Sequence, residues 1–323
     1  MRVGFSLGTL LEYDEVLKCA VLADKQGVEA VWIPESWGRE AFVTLGTLAA
    51  ITKRVMLGTG IIGIYSRSSA SIAMAAATLD ALSNGRAMLG LGASSKAIVE
   101  NWHGMSFSNH ITRMQEYVDV IRMICKGDKV SYRGKFANVN NFKLGFKPIR
   151  EHIPIYIAAV NDKMLKLSSS IADGTILFLR PINDLKVTVS QLKASKDKFD
   201  VACVIMTAVS KDAELARDRV RKTLSFYVAV GRIYSDFVAS RGFESEVEQI
   251  TQEYKKHGLE NIHKLVSDDM LDSITIAGTP EECRKKLRKF KETGISLPII
   301  QFNPVGKTEN SFKEVLSTLM ETD

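Results

Sequence analysis

No apolar run in the sequence approaches the roughly 20 residues that a membrane-spanning helix needs, so membrane insertion is not expected. Cysteine is sparse: Cys19, Cys125, Cys203 and Cys283 stand far apart, and no CxxC occurs. The five histidines form no HExxH pair. A disulfide framework and a metal site are therefore not expected, and the cysteines read as small apolar residues of a reduced, cytoplasmic protein. The opening segment lacks a long apolar core, with Glu12, Asp14 and Glu15 close behind it, which argues against a secretory signal. No proline- or glycine-rich linker divides the chain, so the expectation is a single domain over 1–323.

Charge of one sign is also modest. There are 43 Lys and Arg against 37 Asp and Glu, a net charge of +6 over 323 residues. Much of the excess sits in Arg284–Lys291, where Cys283, Leu287 and Phe290 follow i, i+4, i+7 spacing. That pattern describes an outer helix with one buried stripe and solvated bases, so no nucleic-acid partner is expected. A positive field still suits an anionic small ligand.

The main positive signal is a recurring unit of amphipathic helix, glycine stop and short apolar strand. It occurs at Val16–Gln26, Gly27 and Ala30–Ile33, and again at Ile72–Ser83, Gly85 and Ala87–Leu91. Lys163–Ala172, Gly174 and Thr175–Leu179 repeat it, as do Glu281–Thr293, Gly294 and Leu297–Phe302. Glycine just past a helix supplies a left-handed C-cap. Continuous apolar strands belong to a parallel sheet covered on both faces. Eight such strands alternate with helices, adding Val3–Leu7, Val55–Thr59, Ile155–Ala158 and Val201–Thr207. No GxGxxG opens a helix after the first strand. The fold class expected is therefore α/β, a TIM (β/α)8 barrel. Two intervals exceed a plain βα unit and read as insertions: a hairpin at about 127–154 and a helical segment at about 212–279.

In such a barrel the chemistry sits at the C-terminal ends of the strands. That filter selects Ser6, Pro34–Trp37, Gly58–Tyr65, Gly92–Ser95, Ala159–Asn161, Arg180 and Asn303–Gly306. The glycines of Leu57–Gly63 imply a close backbone approach or a bulge. Gly90–Ser95 and Ala158–Lys163 each turn from a strand end into a helix, where backbone N–H groups can meet an anion or simply be capped.

These segments carry a family resemblance. LGTGIIGIYSRSSASIAMAAATLDALSNGRAMLGLGAS is similar to the core signature of the bacterial luciferase-like flavin and deazaflavin enzymes. ENWHGMSFSNHITRMQEYVDVIRMICKG, PIYIAAVNDKMLKLSSSIADGTI and AGTPEECRKKLRKFKETGI resemble later blocks of the family in the same order. The likeness leans toward the branch using the deazaflavin coenzyme F-420, which includes a methylenetetrahydromethanopterin reductase and sugar-phosphate or alcohol dehydrogenases. The resemblance implies an oxidoreductase that moves hydride to or from a small organic substrate, with FMN as the alternative cofactor of a monooxygenase. It also implies a homodimer or higher oligomer.

Carried over residue by residue, the resemblance places a non-prolyl cis peptide at Gly60–Ile61 against the ring. It assigns cofactor contacts to Gly60, Ile61, Ile62, Gly92, Ala93, Ser94, Ala158, Ala159, Val160 and Asn161, the last segment holding phosphate. The apolar pocket is expected from Ile61, Ile62, Ile64, Tyr65 and Phe178. Departures stand out: Ser36 replaces a usual histidine, Ser95 a usual glutamate, and Ser6 the reductase's acid. Glu35 is then the carboxylate left for acid/base work, with Ser6 and Ser36 as the other catalytic candidates. A non-catalytic flavin-binding protein is the remaining alternative.

Overall fold

The computed structural model describes residues 2–8, 10–36, 38–195 and 198–320. In chain order the strands are β1 (Gly4–Ser6), β2 (Ala30–Ile33), β3 (Met56–Thr59), β4 (Ile62–Gly63), β5 (Ala87–Gly92), β6 (Val130–Arg133) and β7 (Asn138–Phe142). They continue as β8 (Ile155–Ala158), β9 (Gly174–Phe178), β10 (Asp200–Val209), β11 (Ile276–Gly278) and β12 (Leu297–Phe302). All eight expected strands are among them. Their parallel order and intervening helices are those of a TIM (β/α)8 barrel.

Contacts divide the chain into two compact units, Glu29–Ile176 and Met1–Val28 with Leu177–Asp323. In the first, the parallel order is β2-β3-β5-β8, with β4 beside β5. In the second it is β11-β10-β12-β1. Their residues are buried almost throughout, which is why the runs read as unbroken apolar segments.

Local chemistry explains the helices. Thr279 caps Pro280–Glu292 in a capping box with Glu282, and Cys283, Leu287 and Phe290 are its buried stripe. Gly27, Gly85 and Gly294 have φ of 73°, 80° and 90°, as helix stops require. Gly174 departs from that expectation. The helix Asp162–Ile171 ends in extended backbone at Ala172, and Gly174 is already the first residue of β9, in register with Tyr156. Arg122 holds this helix end in place of a glycine cap: it donates to the Ile171 carbonyl at 3.0 Å and to Asp173 at 3.0 Å, and the Asp173 carboxylate also accepts from the Ile155 backbone N–H at 2.8 Å.

Within 127–154, β6 and β7 form an antiparallel pair. Their turn is held from below by Glu116, on the helix His110–Cys125. This carboxylate is 8% exposed and accepts from the backbone N–H groups of Lys135, Phe136 and Ala137 at 2.9, 2.7 and 2.9 Å. Burial pushes its pKa up, but the three donors and nearby Arg113 more than reverse this, so the carboxyl lies below its usual range. A depressed folded-state pKa stabilises above the unfolded value, about 4.3, and that contribution is lost as pH falls through the lowered one. Glu116→Ala is expected to cost about 1–3 kcal/mol at pH 7, because three backbone donors, of which Ala137 is buried and Lys135 and Phe136 are only partly covered, lose a charged acceptor. Urea unfolding of both proteins at pH 7 and in acid checks this. The difference should hold above the unfolded value, about 4.3, and fade as pH falls below it through the lowered folded value.

Residues 212–279 are mostly helical, with Ala213–Val230, Arg232–Val238, Glu244–His257 and Asp268–Ile274 preceding β11. All four cysteines are buried and free. Among the described residues no helix is long and apolar enough to cross a membrane, and no cluster of His, Cys, Asp and Glu is arranged to hold a metal.

Candidate active site

The ends of β2, β3, β5 and β8 converge on a small set of residues in Glu29–Ile176. Trp32 of β2 is almost fully buried, and its ring lies against β3. A Cβ at Gly58 would lie 2.4 Å from the Trp32 ring, and one at Gly60 would lie 3.0 Å from Trp32 Cβ. Gly58 is thus explained by the indole and Gly60 by the Cβ and backbone of the same Trp32, a reason invisible along the chain, whereas Gly63 meets only Ser66 and Ser94 at ordinary contact distance. Past β3 the Gly60–Ile61 peptide is cis.

Ile61 then lies over β5. Ideal Cβ atoms at Gly90 and Gly92 would sit 3.2 Å from Ile61 Cγ2 and 2.6 Å from its Cδ1. Gly90 is pressed further, its Cβ position being 2.1 Å from the Thr59 carbonyl oxygen. Thr59 completes the brace: its hydroxyl donates to the Gly90 carbonyl and accepts from the Gly90 N–H, each at 2.8 Å. On the next strand, Ala158 Cβ is 3.6 Å from the Cβ position of Gly92. The structure therefore brings Ile61, Gly92 and Ala158 together.

Burial relaxes beyond this floor. Ile61, Ala93, Ser94, Ala158 and Val160 are half-buried, whereas Ile62, Ile64 and Tyr65 are 5% exposed or less. Of the expected apolar pocket, those last three are packed core in this structure. Phe178 is half-buried and belongs to an aromatic cluster with Tyr227 and Tyr234, at centroid distances of 5.0 and 5.5 Å. Ser94 takes a left-handed φ of 62°, and Ser95 caps the short helix Lys96–Asn101. Asn161 is exposed and caps Asp162–Ile171 through Oδ1, which accepts from the Met164 N–H at 3.0 Å.

Glu35 follows β2, and its backbone N–H donates to the Ile61 carbonyl at 3.2 Å. Its carboxylate is engaged by Arg67 in a fork, Nη1 to Oε1 at 2.6 Å and Nη2 to Oε2 at 2.8 Å. Arg67 also reaches Glu40, and its guanidinium lies over the Phe42 ring. Sequence reasoning found Glu35 but not Arg67, 32 positions away. Ser36 is half-buried, and its carbonyl accepts from the Arg39 N–H. Ser6 is 7% exposed, at the end of β1 in register with Gln301 of β12.

A profile of the luciferase-like monooxygenases matches residues 1–297, nearly the whole chain. The chain belongs to this family. Among its luciferase-like relatives, the 5,10-methylenetetrahydromethanopterin reductase of Methanolobus tindarius is 31% identical over 322 residues, covering 91% of this chain and 92% of that one. The reductase of the same name from Archaeoglobus fulgidus is 29% identical over 95% of this chain and 94% of its own length. In structure, the coenzyme F-420-dependent tetrahydromethanopterin reductase of Methanopyrus kandleri superposes with a TM-score of 0.89 at 24% identity, covering 99% and 98% of the two chains. That likeness establishes the luciferase-like barrel for this chain.

Proposed function

We propose that the chain is an F-420-dependent oxidoreductase moving hydride between the deazaflavin and a small organic substrate, with a methylenetetrahydromethanopterin reductase-like reaction as the finer reading. The observation that carries it is the end-to-end likeness to proteins of that name. The residues at the strand ends fit such a ring. Gly90 and Gly92 clear the surface of β5 for Ile61, which leaves an apolar, half-buried side chain at the strand end. In this reading Gly60, Ile61 and Ile62 back the ring, with Ile62 acting through its backbone because its side chain is buried. Gly92, Ala93 and Ser94 border the ring, and Ala158, Ala159, Val160 and Asn161 meet phosphate at the start of Asp162–Ile171.

F-420, when bound, supplies the carbon that carries hydride. The chain's own residues supply a fixed apolar face and exclude water. Glu35 is already bonded through both oxygens, which favours a holding role over proton transfer. It ties the Ile61 carbonyl, through its own N–H, to the Arg67 fork. Ser6 and Ser36 remain the hydroxyl candidates for orienting substrate.

Titration of F-420 and FMN tests the reading. F-420 is expected to bind with a Kd of about micromolar order, near −8 kcal/mol, and FMN more weakly. Equal or tighter FMN binding coupled to oxygen consumption would establish the monooxygenase alternative, and binding of either without turnover the non-catalytic one.

We further infer a homodimer. The helices Ala41–Ile51 and Ser69–Leu82 expose Val43, Ile51, Met74 and Leu82 at 73, 43, 48 and 64%. Their one charged residue, Asp80, is buried and paired with Arg150. A two-helix face without exposed charge is unusual for a monomer. Light scattering should give twice the chain mass, and Val43→Lys with Met74→Lys should give the monomer. A monomeric wild type would overturn the inference. Four buried, free cysteines support a reducing, cytoplasmic location.

A further inference from the structure

The helix Ala213–Val230 carries Arg217, Arg219, Arg221 and Lys222 within six residues. Three of these cations have carboxylates. Arg217 reaches Asp272 at 2.7 Å and Asp268 at 2.8 Å, Arg221 reaches Asp268 at 2.5 Å, and Lys222 reaches Asp218 at 2.7 Å. Arg219 pairs with none among the described residues. Its Nε donates to the Pro304 carbonyl at 3.2 Å, and its Nη1 donates to the Thr223 hydroxyl at 3.4 Å. A guanidinium has five N–H donors, so about three remain for another acceptor.

Arg219 is half-buried, and burial lowers its pKa from the ordinary arginine range, opposed only by the charge of neighbouring Asp218. That carboxylate is itself engaged by Lys222. A partly desolvated cation without a counter-ion is costly, and a bound anion relieves the cost.

Its place is also telling. Pro304 lies two residues beyond β12, on the rim where barrels bind ligands. Arg219, Thr223 and Tyr227 form an i, i+4, i+8 stripe facing that strand end. The Thr223 hydroxyl donates to Asn303 Oδ1 at 2.6 Å, and Asn303 Nδ2 donates to the Gln301 carbonyl at 2.8 Å. Tyr227, one turn further along the stripe, packs edge-on against Phe178 and Tyr234. Asn303 is fully buried, so the outermost member of the stripe, Arg219, is carried on a rigid support.

We propose that Arg219 is an oxyanion-binding residue that takes a phosphate or carboxylate group of a ligand at the end of β12. That this ligand takes part in the reaction rests on the functional reading above; the oxyanion site itself does not. Inorganic phosphate is the direct probe, titrated by calorimetry and thermal unfolding at constant ionic strength against wild type, Arg219→Gln and Arg219→Lys. Wild type should bind and gain stability. Arg219→Gln should bind about tenfold more weakly or not at all, as loss of a charge-assisted contact implies. Arg219→Lys, which keeps the charge but not the fork, should fall between them, and it carries the comparison if the glutamine variant does not fold.

A second arm identifies the source of the oxyanion. If Arg219→Gln weakens F-420 but not its phosphate-free ring-and-ribityl fragment, the cofactor tail is the ligand. If F-420 binding is unchanged while the phosphate response is lost, the substrate carries the acid group. Identical phosphate binding by wild type and Arg219→Gln, or none by either, overturns the proposal. Failure of F-420 to bind any of the three proteins would instead overturn the functional reading and leave the phosphate result standing.

Discussion

Replacing Gly90 with valine is expected to destabilise the protein by about 3 kcal/mol or more, at or beyond the upper end of ordinary overpacking. The new Cβ would sit 2.1 Å from the Thr59 carbonyl oxygen, a backbone atom that cannot rotate away. Moving β3 aside would break the paired hydrogen bonds between the Thr59 hydroxyl and the Gly90 backbone, both buried. Gly63 supplies the contrast. A Cβ there meets only Ser66 Oγ and Ser94 Cβ, each at 3.7 Å, ordinary contact distances. Gly63→Ala should change stability by about 0.5 kcal/mol or less. Urea unfolding of both variants makes the comparison. Equal, small losses would mean that the two strands are looser than the packing of Thr59 against Gly90 requires.

The largest effect on binding is expected from Ile61→Asp. Ile61 is half-buried, and its branched side chain covers the glycine-stripped surface of β5 while leaving part of itself exposed at the strand end. A carboxylate there keeps access to water, so folding should lose only about 1–2 kcal/mol. Against an apolar ring the same carboxylate would be desolvated without a partner, which is severe. F-420 affinity should therefore fall by about two orders of magnitude or more, a loss of roughly 3 kcal/mol. Isothermal titration with F-420, alongside thermal unfolding of the free protein, separates the two effects. A variant that folds normally and binds F-420 as well as wild type would remove Ile61 from the cofactor face.

The eight barrel strands and the helices between them were legible in the sequence because their cause is local. A strand covered on both faces reads as a continuous apolar run, and an outer helix as a stripe with a capping box, as in Pro280–Glu292. Glycine stops were legible for the same reason at Gly27, Gly85 and Gly294, where the φ demand lies within the residue itself. Gly174 misled because its helix end is held from a distance, by Arg122 donating to the Ile171 carbonyl and to Asp173.

What the tertiary structure alone decided is which distant groups meet. The motif Leu-Gly-Thr-Gly-Ile-Ile-Gly announced close approach, but only the fold shows Trp32 and the Thr59 brace filling the space beside Gly58, Gly60 and Gly90. Glu35 reads as a spare carboxylate until Arg67 is placed against it. Arg217, Arg219 and Arg221 look alike in one basic run. Helical geometry turns Arg219 onto a different face from the other two, and only those two meet acids there. Periodicity and φ preference are properties of neighbouring residues and can be read along the chain. Charge partnership and steric clearance depend on pairs tens of residues apart, and the packing of the elements sets them.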